Sequence, residues 1–334
     1  MNPRVRVFPG FPAHGFLLLL AGTLRAASPV WPPPPAPARI AYVASLHGPA
    51  DVGQKPSLFS RVSGWVSGNS SSLPNLVKPF GLALDASDNL CITDTGSRTV
   101  CYCDFAHKHW RSWVAAGKTR FVSPVAVARK DRIFYVADSG LGKVLAFRDN
   151  GGLVFEIAAP LQRPVALALV DDKIYVADSQ AHSIFGFTLR GQFLFKFGQR
   201  GIGEGEFNFP THLGGDAEGR LYVTDSLNAR VEIFDRSGSF LRVLGSPGDT
   251  SGHFGRPKGL AVDSKGHVYV VDAAYDNFQI FDGQGRFLLD IGQSGDGPGQ
   301  FWLPSGIAID SKNRIYIADT FNHRIQVFDY LGKE

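Results

Sequence analysis

Nine histidines, three cysteines and six evenly spaced aspartates are the residues of this 334-residue chain that could do chemistry. Asp94, Asp138, Asp178, Asp225, Asp272 and Asp319 recur 40 to 47 residues apart, each closing a short apolar run. Carboxylates invite a catalytic or calcium reading. Their return at one point of a repeated unit points instead to turn formation, with each carboxylate accepting backbone N–H bonds and some pairing with Arg230 or Arg324. The cysteines, Cys91, Cys101 and Cys103, crowd into one unit. Cys-x-Cys lacks the spacing of a zinc site, so they read as small apolar fillers of a sheet, with a cross-strand disulfide as the competing expectation. Gly201-Ile-Gly203-Glu-Gly205 resembles a phosphate loop only in composition, because a strand and not a helix follows it; it reads as a flexible connector.

The unit that positions these residues begins at Pro79, Pro124, Pro164, Pro210, Pro257 and Pro304. A fixed period of this size marks stacked supersecondary units. Inside each unit the apolar spacing is two, as in Leu221-Tyr222-Val223 and Val231 to Phe234, and turn sequences such as Arg236-Ser-Gly238 separate the runs. That is the pattern of four antiparallel strands, a to d, per unit. The last unit stops after strand c, while the run RIAYVASL at residues 39–46 has no partner in sequence. Pairing the two ends would seal a ring and remove an exposed edge.

The proline, the glycine-bearing strand, the Asp-Ser or Asp-Thr turn and the RIQVFD-like strand resemble the NHL-repeat six-bladed propellers. Residues 39–334 carry the resemblance, best in the fourth and sixth copies (Asp225-Ser226, Asn228, Arg230; Asp319-Thr320, Asn322, Arg324). The first three copies depart from it at Cys101 and Cys103, at Gly140 to Gly142 and at Ser183. The fold class implied is all-β: six four-stranded antiparallel blades, the last closed by an N-terminal strand. The resemblance also brings an enzymatic alternative, a metal-assisted lyase of the peptidyl-hydroxyglycine type or a calcium-holding lactonase. Of the histidines only His212 falls at the mouth of an inner strand, so no catalytic residue, metal site or cofactor is expected.

Residues 1–27 are a different text. Arg4 and Arg6 precede an apolar run at 15–22 that is too short for the roughly 30 Å of a bilayer core and fits a secretory leader. Export to the periplasm or the cell exterior is expected; if the leader were retained, residues 8–24 would tether the chain to a membrane. Residues 28–38 read as a Pro-rich spacer. The net charge of +4 comes largely from Arg4, Arg6 and Arg25, so the disc itself is nearly neutral. Nucleic acid is therefore not an expected partner.

Strand parity places the d-to-a and b-to-c connections on one face and the short turns on the other. The long connections, such as 198–209, 245–256 and 292–303, all share the first face, where function is expected. An insertion at about 55–72 puts Leu58, Phe59, Val62, Trp65 and Val66 on one side of a short helix, with Ser57 as its cap. The expected contacts are the residues after the prolines, Phe80, Val125, Val165, Thr211, Lys258 and Ser305, with His212 one step further in. Leu227, Tyr275, Phe321, Asn322 and His323 add the b-to-c turns. The function expected is a monomeric, non-catalytic scaffold binding a protein, peptide or cell-envelope component.

Overall fold

The computed structural model describes residues 28–54 and 74–332; the expected leader and the expected helix at about 55–72 lie outside them. Six sheets account for nearly all of the structure. Blade 1 is formed by Pro79–Leu84, Leu90–Asp94, Thr99–Asp104 and His109–Trp113. Blade 4 is formed by Pro210–Gly215, Leu221–Asp225, Arg230–Phe234 and Phe240–Leu244. Blades 2, 3 and 5 repeat the pattern from Pro124, Pro164 and Pro257, and every pairing within a blade is antiparallel. Neighbouring inner strands touch around the whole circle, including the first against the sixth.

Closure follows the sequence expectation. Ile40–Leu46 pairs antiparallel with Arg324–Tyr330, outside Ile315–Asp319 and Ile307–Ile309, and so becomes strand d of blade 6. The proline-rich stretch is also engaged at its start: Val30–Trp31 adds a fifth strand to this blade, and the Trp31 ring meets Phe328 edge-on at 5.9 Å. Among the described residues no helix is long and apolar enough to cross a membrane.

The period-2 pattern explains the packing. The b strands are buried throughout in blades 1, 4, 5 and 6 and at all but their first residue, Ile133 and Lys173, in blades 2 and 3, because both faces pack on adjacent blades. The d strands are the least buried, alternating in blades 4 and 5, and leave Phe193, Leu194, Leu241 and Leu288 exposed on the outer wall. Inner strands approach so closely that some positions admit only glycine. A Cβ on Gly81 would lie 2.4 Å from the Val125 carbonyl oxygen, and one on Gly306 would lie 2.3 Å from that of Phe80.

The three cysteines are buried as free thiols, which corrects the disulfide alternative and supports their role as apolar fillers. Burial pushes Cys101 and Cys103 up to about 12 and raises Cys91 further. The folded protein is accordingly expected to resist a thiol reagent such as Ellman's at pH 8, and to yield three equivalents only in denaturant. Prompt labelling of the native protein would contradict this packing.

Candidate functional site

The recurrent aspartates set the geometry of the long-loop face. Each is almost wholly buried. Asp94 accepts from the Val77, Lys78, Gly96 and Ser97 amides, and Asp138 from those of Val122, Ser123, Gly140 and Leu141. Asp178 and Asp272 likewise hold the Arg163 and Arg256 amides. One carboxylate thus fixes both its own b-to-c turn and the residue that precedes the proline. In blades 4 and 6 the arrangement changes, because Asn228 with Arg230, and Asn322 with Arg324, occupy the carboxylate. The amides bound there belong to Asn208 and Trp302, one residue earlier. The pre-proline residues Phe209 and Leu303 turn left-handed, at φ 58° and 48°. Their amides are held by the preceding blade, through His182 Nδ1 at 3.3 Å and Asp276 Oδ1 at 2.8 Å. A bulky side chain at positive φ is held against local preference, and such positions cluster at functional surfaces.

The connector at 201–205, expected to be flexible, is instead tied down. Arg230 donates to the carbonyls of Ile202, Gly203 and Glu206, Asn228 to that of Gly201, and Phe207 is fully buried beneath it. An isolated parallel backbone bridge also joins Arg200 to Phe207, and the next two connectors repeat it between Pro247 and Phe254 and between Ser294 and Phe301.

These restraints shape a cavity of about 460 Å³ over the channel mouth, lined by blades 1 to 5. The expected contacts Phe80, Thr211, His212, Leu227 and Lys258 meet there, together with Val125 and Val165. The other five do not line it. Ser305 is buried and bonds the Phe80 carbonyl and Thr320, which helps seal blade 6 to blade 1. Asn322 is spent on Asp319 and the Gly295 carbonyl, and His323 Nδ1 contacts the Val77 carbonyl. Phe321 packs on Trp302 with the Lys78 ammonium over its ring, and Tyr275 bonds the Gly248 carbonyl with its ring half out in solvent.

Sequence reasoning missed two rings of lining residues. The pre-proline residues contribute Ser123, Arg163, Phe209 and Arg256; the residues after the blade aspartates contribute Thr95, Ser139, Ser179 and Ser226. Both carry the same period as the prolines, so stepping one residue back from each proline, and one on from each aspartate, would have found them.

The floor is made by two residues from opposite blades. Phe80 of blade 1 and His212 of blade 4 stack across the axis, with centroids 6.1 Å apart and planes at 29°. His212 stands where blades 1, 5 and 6 have Gly81, Gly259 and Gly306. Its Nδ1 is buried without a partner, as are the hydroxyls of Thr211 and Thr224. Burial, then the nearby Lys258, pushes the imidazole down to about 3, so it is neutral at every ordinary pH. Burial and the Arg256 charge also lower Lys258. Below the floor lies a second cavity of about 480 Å³, walled by aliphatic inner-strand residues such as Leu82, Leu167, Leu213 and Ile309. Among the described residues no three histidine, cysteine or acidic side chains converge as a metal site would require.

Comparison with known proteins extends the fold and stops there. No curated protein matches the chain. Among solved structures, virginiamycin B lyase from Staphylococcus aureus is similar with a TM-score of 0.57 at 12% identity, over 76% of this chain and 96% of that one. A gluconolactonase from Xanthomonas campestris gives 0.59 at 16%, over 76% and 86%. An auxiliary nutrient binding protein from Bacteroides thetaiotaomicron gives 0.60 at 14%, over 77% and 70%. At these identities the likeness shows architecture alone, which hosts many unrelated activities. A family model described as 6-bladed beta-propeller matches residues 156–214, 215–278 and 263–334, more than half of the chain. The chain, by its sequence as well as its ring of blades, belongs to the 6-bladed beta-propeller family.

Proposed function

We propose that this chain is an exported propeller of the NHL type that acts as a non-catalytic binding scaffold. It recognises a protein, peptide or cell-envelope component on its long-loop face, as a monomeric disc with no role for nucleic acid. One observation carries the reading: the connections and turns of that face expose apolar side chains, with Leu227 among them at the cavity wall. Leu227, Trp302 and Ile202 are 54%, 53% and 80% exposed, and Val77, Val122 and Tyr275 join them. Large apolar groups on a rigid rim, with a partly polar cavity between them, are what a recognition surface requires. The aspartate latches hold that rim in place, so little rearrangement on binding is expected.

The test is capture from cell-envelope extract. A Tyr275→Ala/Trp302→Ala variant should melt like the parent and lose a captured partner by at least about tenfold, since two such anchors account for a few kcal/mol. Capture that is unchanged in the folded variant would overturn the reading. A lyase or hydrolase reading draws on one feature, the unpartnered His212 imidazole at the cavity floor. It requires stoichiometric zinc or calcium in the purified protein that is lost in His212→Ala; elemental analysis of both proteins is expected to find neither metal.

A further inference from the structure

Arg163, Arg256 and Lys258 face the same cavity, and among the described residues none of the three has a carboxylate partner. The blade aspartates that underlie them are turned away and spent on backbone amides. No acid lies in residues 55–73 either. The opposite mouth shows the contrast: Arg129 is paired with Asp85 and Asp149, and Lys130 with Asp172. Arg129 and Lys130 are thus neutralised at one mouth, whereas Arg163, Arg256 and Lys258 are left without a counter-charge at the other.

Uncompensated charge is costly where Lys258 sits, half-buried and beside Arg256. The polar groups around it do not compete for its charge: the Ser179 and Ser226 hydroxyls at the wall donate to the Arg163 and Pro257 carbonyls, and Thr211 Oγ1 and His212 Nδ1 are buried without a protein partner. Three cations converging on one cavity with no acid form a receptor for a compact oxyanion, which accepts several charge-assisted hydrogen bonds at once.

We infer that the long-loop mouth seats a carboxylate or phosphate group borne by the ligand, with Lys258 as the inner contact and Arg163 and Arg256 at the rim. The inference rests on the scaffold reading and names the chemistry of the ligand's buried end. The Phe80–His212 stack forms the floor, so the group enters from the long-loop side. The cavity is larger than one oxyanion, which leaves room for the residue or headgroup that carries it.

Isothermal titration with three probes tests it: N-acetylalanine, its uncharged amide, and inorganic phosphate. At least one anion should bind one-to-one with a Kd of about 1 mM or tighter, the amide should not, and affinity should fall as salt rises. Whichever anion binds identifies the source of the group. Lys258→Gln should weaken it about tenfold or more, and Arg163→Gln/Arg256→Gln by a similar factor. Blades 1, 2, 3, 4 and 6 carry Phe, Val, Val, Thr and Ser in place of Lys258, so the substitution is compatible with the fold. No binding by either anion, or equal binding by parent and Lys258→Gln, would overturn the inference. If the anions fail while capture still depends on Tyr275 and Trp302, the scaffold reading stands and only the anion site falls. If the anions bind while capture ignores those anchors, the reverse holds.

Discussion

Asp319→Ala is expected to lower the melting temperature by about 5–10 °C, the largest effect of any single substitution at the latches. The Asp319 carboxylate is wholly buried and accepts from the Trp302 amide at 2.8 Å, from Asn322 Nδ2 at 2.9 Å, from Arg324 Nε at 2.8 Å and from Gln326 Nε2 at 3.0 Å. Its removal leaves the Arg324 side chain, only 9% exposed, without its counter-charge. Stranding one member of a buried pair costs about 3–5 kcal/mol, which in a domain of this size is about 5–10 °C. Adding Arg324→Met should recover part of the loss, because the stranded charge goes with it. A thermal melt in which Asp319→Ala shifts by only a degree or two would show that the latch contributes little.

The second expected result separates by pH. Glu232 is fully buried in strand c of blade 4, at the seat filled by Gln279 and Gln326 in blades 5 and 6. Both glutamines accept a connector amide and donate to a connector carbonyl: Gln279 from Gly252 and to His253, Gln326 from Gly299 and to Gln300. Glu232 accepts from Gly205 at 2.7 Å, but its Oε1 has no hydrogen-bond partner. Arg230 Nη2 lies 2.5 Å from that oxygen, yet directs its hydrogens to the Gly203 and Glu206 carbonyls. Burial pushes the carboxyl up to about 7, against the lowering by Gly205 and Arg230.

Since the folded value is raised, the group favours the folded state fully below pH 4.5, and that contribution is lost as pH rises toward 7. The charged form is then penalised by on the order of 3 kcal/mol at pH 8. Glu232→Gln supplies the missing donor without a charge. It should melt about 5–10 °C above the parent at pH 8 and close to it at pH 4.5. An equal difference at both pH values, or a lower melting temperature at pH 8, would refute the account.

The blades were legible because period, alternation and turn residues agree with one another; Leu221-Tyr222-Val223 can hardly be read otherwise. Closure was legible from a surplus, since residues 39–46 had strand character and no local partner. The aspartates were understood as turn formers, but their longer reach to the pre-proline amides was not, because that contact spans 15 or 16 residues and depends on how the d-to-a connection folds back. The site was half legible for the same reason. Strand parity identifies a face, and so brings Phe80, Thr211, His212 and Lys258 together. It does not distinguish a side chain that lines the cavity from one absorbed between blades, which is where Ser305 and Asn322 go. Nor does it anticipate that Phe209 turns left-handed, since the reason lies in His182 of the neighbouring blade.

Strand d of blade 6 comes from residues 40–46 and its partner from residues 324–330, so a segment made before every blade waits for one made after all the others. Throughout synthesis, and through any crossing of a membrane, five blades can assemble while the ring stays open with two unsatisfied edges. Completion is then a single loop-closing event once residues 324–330 are made, and a chain stalled before them would be a sticky partial disc, a natural substrate for chaperones and proteases.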